Sequence, residues 1–147
     1  MSHIQKYYNG RISECYVIFT KSEHWYQIFL KKDFGHLYLL MKDDFNWLVL
    51  NPRRLFLHWE ILPIPASKDA WKIITSKSDH VIQINLHQRD NIISFGIFGF
   101  RTCTTLVQYM LGLKLKCVTP WSLFKRLLRL STTKRKLHGI SSITLKK

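Results

Sequence analysis

The stretch GFRTCTTLVQYMLGL, residues 99 to 113, marks the point where the chain changes from strand-like to helical. Thr102 can accept a backbone N–H bond as a helix cap, and apolar residues then recur at helical spacing. The pattern predicts a helix that begins at Cys103 and ends near Gly112. A cysteine in the first turn of this helix is therefore the feature that needs an explanation.

The chain before this helix consists of short runs rich in aromatic and β-branched residues, separated by polar or Gly-containing breaks. Such runs are typical of strands, and no long helical pattern lies among them. We expect an antiparallel sheet of about six strands, built as a meander. The runs are CYVIFTK (15–21), WYQIFLKK (25–32), HLYLLMK (36–42), NWLVLNP (46–52), RLFLHWEIL (54–62), WKIITSK (71–77), HVIQINLH (80–87) and IISFGIFGF (92–100).

A second helix is expected from Thr119 and Pro120, a cap followed by a proline that needs no N–H partner there. The segment then carries an apolar stripe opposite a basic one. The apolar stripe is Trp121, Phe124, Leu127 and Leu128, and the basic one is Lys125, Arg126 and Arg129. The sequence thus predicts an α+β protein in which the sheet packs against two C-terminal helices.

The expected domain boundaries follow from these patterns. Residues 1–11 form an N-terminal tail, residues 12–130 form a single α+β domain, and residues 131–147 have too little apolar periodicity for a core element. We therefore expect a mobile basic tail at the C-terminus. A chain of 147 residues with 46% hydrophobic residues can bury one sizeable core.

The charge of the chain is strongly and unevenly positive. There are 23 Lys and Arg against 9 Asp and Glu, a formal net charge of +14, and the last acidic residue is Asp90. Such a field favours contact with nucleic acid, anionic lipid or an acidic protein surface, although it also fits a solvated basic face. The basic positions that we single out are Lys125, Arg126, Arg129, Lys134, Arg135 and Lys136.

The sequence shows no motif that is typical of export or of metal binding. We find no run of about 18 apolar residues and no apolar stretch of a secretory signal at the start of the chain. Three cysteines without CxxC or HExxH spacing fit free thiols in a reducing compartment, with no metal and no cofactor. These features place the protein in a cytoplasm.

Two interpretations of Cys103 compete. It shares a helix face with Leu106 and Val107, and free cysteine is often a buried core residue. Alternatively, the positive end of the helix dipole lowers a thiol pKa and favours the nucleophilic thiolate. A nucleophile of this kind needs an imidazole and a third group that orients the imidazole.

Suitable partners lie on a predicted hairpin. His36 begins one strand directly after a glycine, and Asn51 closes the next strand. If residues 36–42 and 46–51 pair, the outer ends of the two strands lie side by side, and Asn51 can orient the imidazole. His58 and Glu60 remain alternatives for the third position.

These segments together resemble a circularly permuted member of the papain-like, NlpC-type superfamily. The resemblance covers roughly residues 12 to 130. Small phage and prophage-encoded proteins of this superfamily contain segments similar to those of this chain. The resemblance implies a permuted papain-like fold, with Cys103 as nucleophile, His36 as general base and Asn51 as the third polar residue. The segments that carry it are FGHLYLL (34–40), WLVLNP (47–52), FRTCTTLVQYMLGL (100–113) and TPWSLFKRLL (119–128).

The resemblance implies a thiol hydrolase, a peptidase or amidase that works by acyl transfer. Related enzymes cleave peptide or isopeptide bonds of bacterial cell walls, or act on lipid esters and amides. An alternative is a structural protein of a phage particle that contacts other virion proteins or DNA through its basic surface. A third interpretation is plain nucleic-acid binding by the C-terminal helix. The corresponding locations are the host cytoplasm or the virion.

Overall fold

The structure is a computed structural model and describes residues 12, 14–21, 30–53, 57–75, 79–86, 102–113, 115–133 and 140–146. In this part of the chain, six strands and three helices are present. The strands are β1 (Glu14–Thr20), β2 (His36–Lys42), β3 (Trp47–Pro52), β4 (Leu57–Leu62), β5 (His80–Leu86) and β6 (Ile140–Lys146). The helices are α1 (Ala70–Ile74), α2 (Cys103–Met110) and α3 (Pro120–Thr133).

All six strands form one antiparallel sheet in the order β4-β3-β2-β1-β5-β6. The first four strands are a meander, as expected, and β5 pairs with the free side of β1. The prediction of an α+β protein with an antiparallel sheet of about six strands is confirmed.

The sheet buries apolar residues on both faces. On one face, alternate residues such as Val17, Leu39 and Ile82 pack with α2 and α3 in the larger core. On the other face, Tyr16 and Trp47 pack with α1 in a smaller cluster. Because both faces are covered, β1 and β2 are almost continuously apolar instead of alternating with polar residues.

Both predicted C-terminal helices begin where the caps indicate. The Thr102 hydroxyl accepts the N–H of Thr105 at 3.1 Å, and the Thr105 hydroxyl accepts the N–H of Thr102 at 3.2 Å. This capping box fixes the start of α2 at Cys103. In α3, the Thr119 hydroxyl accepts the N–H of Ser122 at 3.2 Å. The basic residues predicted to face solvent in α3 are exposed.

The prediction of a strand over residues 71–77 is wrong, because α1 occupies Ala70–Ile74. The β-branched residues of this segment favoured a strand locally. Ala70, Trp71 and Ile74 share one side of a helical turn, and that side packs under the sheet against Tyr16 and Trp47. The Nε1–H of Trp47 also donates to the carbonyl of Lys68 at 3.0 Å. Tertiary packing here overrides the local strand preference.

The expected mobile tail over residues 131–147 is also corrected, because α3 runs to Thr133 and Ile140–Lys146 form the edge strand β6. The register shifts between Asn85 and Leu86, so that Ile140 pairs with Leu86 while Ile143 pairs with Ile84. Two isoleucines three residues apart thus face the same core. This spacing does not fit the period of a regular strand, so the sequence pattern did not reveal β6.

Some predictions lie outside the described residues. These are the N-terminal tail over residues 1–11, the strand over 92–100 and most of the strand over 25–32. The three described residues of that last run, 30–32, belong to no strand. The basic positions Lys134, Arg135 and Lys136 are also outside the described part.

The packing of α3 leads to a stability prediction. Leu127 has no exposed surface and lies in the larger core. We expect Leu127→Ala to lower the free energy of unfolding by about 2 to 5 kcal/mol, since truncation leaves a cavity. Urea denaturation followed by circular dichroism measures this loss. The exposed neighbour Arg129 provides a control, because Arg129→Ala should change the unfolding free energy by less than about 0.5 kcal/mol. Equal effects would contradict the described packing.

Candidate active site

The thiol of Cys103 lies at the junction of α2 and the start of β2. Cys103 is the first residue of α2 and is half-buried. The capping box engages the N–H groups of Thr102 and Thr105 and does not involve the N–H of Cys103. The backbone N–H of Leu37 in β2 is close enough to the thiol to lower its pKa. The first turn of α2 therefore lies against the end of the sheet.

A hydrogen-bonded turn positions His36 at the start of β2. The N–H of Gly35 donates to the carbonyl of Thr20 at 3.0 Å, which fixes the entry into the strand. One residue earlier, the Phe34 ring packs against Phe124 of α3, with 4.8 Å between ring centroids. These contacts bind the chain on the N-terminal side of His36 to both β1 and α3.

His36 lies between Asn51 and Cys103. Its Nε2 is 2.8 Å from Oδ1 of Asn51, and because an amide oxygen accepts, Nε2 carries the proton. The imidazole is also close enough to the Cys103 thiol for each group to shift the pKa of the other, and Nδ1 is the nitrogen that remains for this contact. The structure therefore brings together the three residues that the sequence singled out, in the order thiol, imidazole, amide.

The pKa values of Cys103 and His36 shift toward each other. Burial alone would raise the pKa of Cys103, but hydrogen bonds from His36 and Leu37 and the imidazole charge hold it below its usual value. Burial would lower the pKa of His36, yet hydrogen bonding with Cys103 and Asn51 and the thiolate charge hold this pKa above its usual value. The nearby charge of Arg53 opposes this rise. The arrangement favours a thiolate–imidazolium pair.

The other two cysteines show that burial alone does not produce this effect. Burial raises the pKa of Cys15, which is fully enclosed in the core. Burial also raises the pKa of Cys117, although Ser122 and Arg126 lie close to it and act in the opposite direction. Among the three thiols, Cys103 has the lowered pKa and also the contact with a histidine.

The alternatives for the third position lie one strand further from the thiol. His58 pairs with Asn51 in the β3–β4 register, so it is next to the amide. Its Nε2 is 3.1 Å from Oε2 of Glu60, and both side chains are about half exposed. In the contacts described, Asn51 rather than His58 or Glu60 meets the imidazole of His36.

Two supporting residues were missed in the sequence. Gln108 is buried, and its Nε2 donates to the carbonyls of Thr104 at 3.1 Å and Cys117 at 2.7 Å, while its Oε1 accepts the N–H of Cys117 at 3.1 Å. It therefore ties the connection between α2 and α3 to the helix that carries Cys103. The buried Thr104 hydroxyl is close enough to lower the thiol pKa, without a hydrogen bond of normal geometry. A polar residue on an apolar helix face was the available signal for Gln108.

The described residues also bear on metal binding, membrane crossing and surface charge. Across these ranges, no cluster of three or more His, Cys, Asp or Glu side chains could hold a metal ion. No helix in the same part of the chain has the length and apolar character required to cross a membrane. On α3, Lys125, Arg126 and Arg129 are exposed and form a basic face.

Compared with protein-family models, with curated proteins and with solved structures, the chain shows no match. The geometry of Cys103, His36 and Asn51 is therefore the basis for a functional proposal.

The pKa shifts predict how Cys103 reacts with iodoacetamide. We expect its alkylation rate to remain high below the free-thiol value of about 8.5 and to fall only as the pH drops through the lowered pKa. In His36→Ala, burial remains while the hydrogen bond and charge are lost, so the thiol pKa should rise above that value. Peptide mass spectrometry after timed alkylation measures the rate at Cys103.

A matched control uses the other histidine near the site. His58→Ala removes an imidazole from β4 that bonds to Glu60 rather than to the thiol. This variant should keep the wild-type pH profile at Cys103. A profile centred near 8.5 in the wild type, or one unaffected by His36→Ala, would contradict the thiolate–imidazolium pair.

Proposed function

We propose that the protein is a cysteine-dependent acyl hydrolase of the peptidase or amidase type, with Cys103 as nucleophile. The observation that carries this proposal is the series of contacts from Cys103 through His36 to Asn51. A thiolate activated by an imidazole, with an amide that fixes the imidazole, is the arrangement used for thiol acyl transfer. The resemblance to the permuted papain-like superfamily agrees with this choice and suggests the same fold.

The reaction follows from the protonation of the pair. The Cys103 thiolate attacks the substrate carbonyl carbon, and a carbon–sulfur bond forms. The imidazolium of His36 then gives its Nδ1 proton to the leaving nitrogen or oxygen as the scissile bond breaks. His36, now neutral, takes a proton from water, and the resulting hydroxide equivalent releases the acyl group as a carboxylic acid. The carbon–sulfur bond breaks in this step, so that the Cys103 thiolate and the protonated His36 are restored.

Two groups assist these steps. The N–H of Cys103 lies in the first turn of α2 outside the capping box and is the candidate donor to the carbonyl oxygen as negative charge develops. Asn51 holds Nε2 of His36 and thereby keeps Nδ1 directed to the thiol. The resemblance suggests peptide, isopeptide or lipid acyl groups as substrates of a phage-encoded enzyme.

The proposal predicts an acyl-enzyme with an activated ester. With p-nitrophenyl acetate, we expect a burst of one p-nitrophenolate per protein and one acetyl group on the peptide that contains Cys103. His36→Ala should slow the burst about 100-fold, because the thiol loses its base. Stopped-flow absorbance and intact mass spectrometry measure the rate and the product.

A control variant separates the site from general thiol reactivity. Cys117→Ala leaves the proposed site unchanged and should keep the full burst, whereas Cys103→Ala should abolish it. Acetylation spread equally over Cys117 and lysines, with no burst, would contradict the proposal.

A second candidate function is supported by the basic face of α3. Lys125, Arg126 and Arg129 are exposed and could contact DNA or acidic virion proteins in a phage particle. Trp121 and Phe124 pack against other rings, so they do not offer a platform for stacked bases.

Nucleic-acid binding makes a different prediction. If the face of α3 binds DNA, the affinity should fall steeply with salt, and changing Lys125, Arg126 and Arg129 together to Gln should reduce the salt slope by about 3. Fluorescence anisotropy with a labelled duplex measures both quantities. Cys103→Ala should not change them, and an unchanged slope in the triple variant would exclude this face.

A further inference from the structure

A cation lies beside the proposed catalytic pair. Arg53 directly follows β3 and is exposed. Arg53 lies two residues after Asn51, whose Oδ1 is 2.8 Å from Nε2 of His36. The charge of Arg53 is close enough to act on this imidazole. The end of β3 and the start of β2 therefore meet at one end of the sheet, beside the thiol.

The charge of Arg53 acts on the imidazole, and no acidic side chain among the described residues forms an ion pair with it. In the described ranges, four side-chain ion pairs are present, and none includes Arg53. Glu60 on the adjacent strand pairs with His58. The Arg53 charge acts on His36 and lowers its pKa, against the direction that favours the thiolate–imidazolium pair. The charge of Arg53 therefore disfavours the thiolate–imidazolium pair on which the proposed acyl transfer depends.

An anion bound at Arg53 would remove this opposition. We propose that Arg53 binds a carboxylate of the acyl substrate, close to the carbonyl that Cys103 attacks. This inference rests on the proposed function, and it narrows the substrates to peptides or amides with an acidic group near the scissile bond. A planar guanidinium suits a carboxylate, because it can donate two parallel hydrogen bonds. Substrate binding then strengthens the charged pair that attacks it.

Two alkylating reagents of similar size test this selectivity. Iodoacetate carries a carboxylate and iodoacetamide is neutral, so the ratio of their rates at Cys103 reports the charge beside the thiol. In Arg53→Gln, we expect this ratio to fall about threefold at low salt, as one charge within about 7 Å across solvent implies. The ratio cancels any common change in thiolate fraction. Peptide mass spectrometry gives both rates for the same cysteine.

Three comparisons make the test specific. Lys68→Gln removes an exposed charge from the turn before α1 and should leave the ratio unchanged. Arg53→Lys keeps the charge and should retain most of the wild-type ratio. In the wild type, the preference for iodoacetate should shrink toward that of Arg53→Gln as salt rises to about 1 M, where charges are screened within about 3 Å.

The possible failures are distinguishable. If Arg53→Gln keeps the wild-type ratio while iodoacetamide still shows a lowered thiol pKa, the carboxylate site is overturned and the proposed function stands. If Cys103 reacts with neither reagent below the free-thiol range, both proposals are overturned.

Discussion

The contact between the first turn of α2 and the first residues of β2 is the constraint on which the site depends. The backbone N–H of Leu37 and the imidazole of His36 both lie close enough to the Cys103 thiol to lower its pKa, so one strand end surrounds the thiol. The turn before β2 is bound to Thr20 of β1 and, through Phe34, to α3. The capping box fixes the other side of the contact by defining where α2 begins. Both partners of the pair are therefore held by independent elements.

Local signals predicted the positions of these elements well. Thr102 and Thr119 gave the starts of both C-terminal helices, and the hairpin brought His36 close to Asn51. These features depend on residues next to one another in the chain, and local sequence contains that information. The antiparallel sheet was predictable for the same reason, since consecutive apolar runs with polar breaks favour a meander.

Features that depend on distant packing were not predictable. α1 forms because its Ala70 side fits under Tyr16 and Trp47, although its residues favour a strand. β6 depends on an irregular register with β5 that places Ile140 and Ile143 on one core. The residues against which α1 and β6 pack lie elsewhere in the chain, so the sequence of each segment alone does not reveal its structure.

The meeting of thiol and imidazole also lies beyond sequence periodicity. Alternation along β2 groups His36 with Tyr38 and Leu40, which pack on the α1 side, whereas α2 covers Leu37 and Leu39. The contact forms because His36 and Cys103 are each the first residue of an element and meet at the end of the sheet. Arg53 was missed for a similar reason, since its closeness to His36 depends on the contact between the end of β3 and the start of β2.

The proposed site depends on Cys103 and His36 stabilising each other in the charged form. An NMR pH titration of the His36 imidazole in the wild type and in Cys103→Ala tests this dependence. We expect the His36 pKa to lie above its usual value of about 6.5 in the wild type. In Cys103→Ala we expect a lower His36 pKa, because burial and the Arg53 charge remain while the thiolate is lost. An identical titration in the two proteins would contradict the mutual stabilisation of thiol and imidazole.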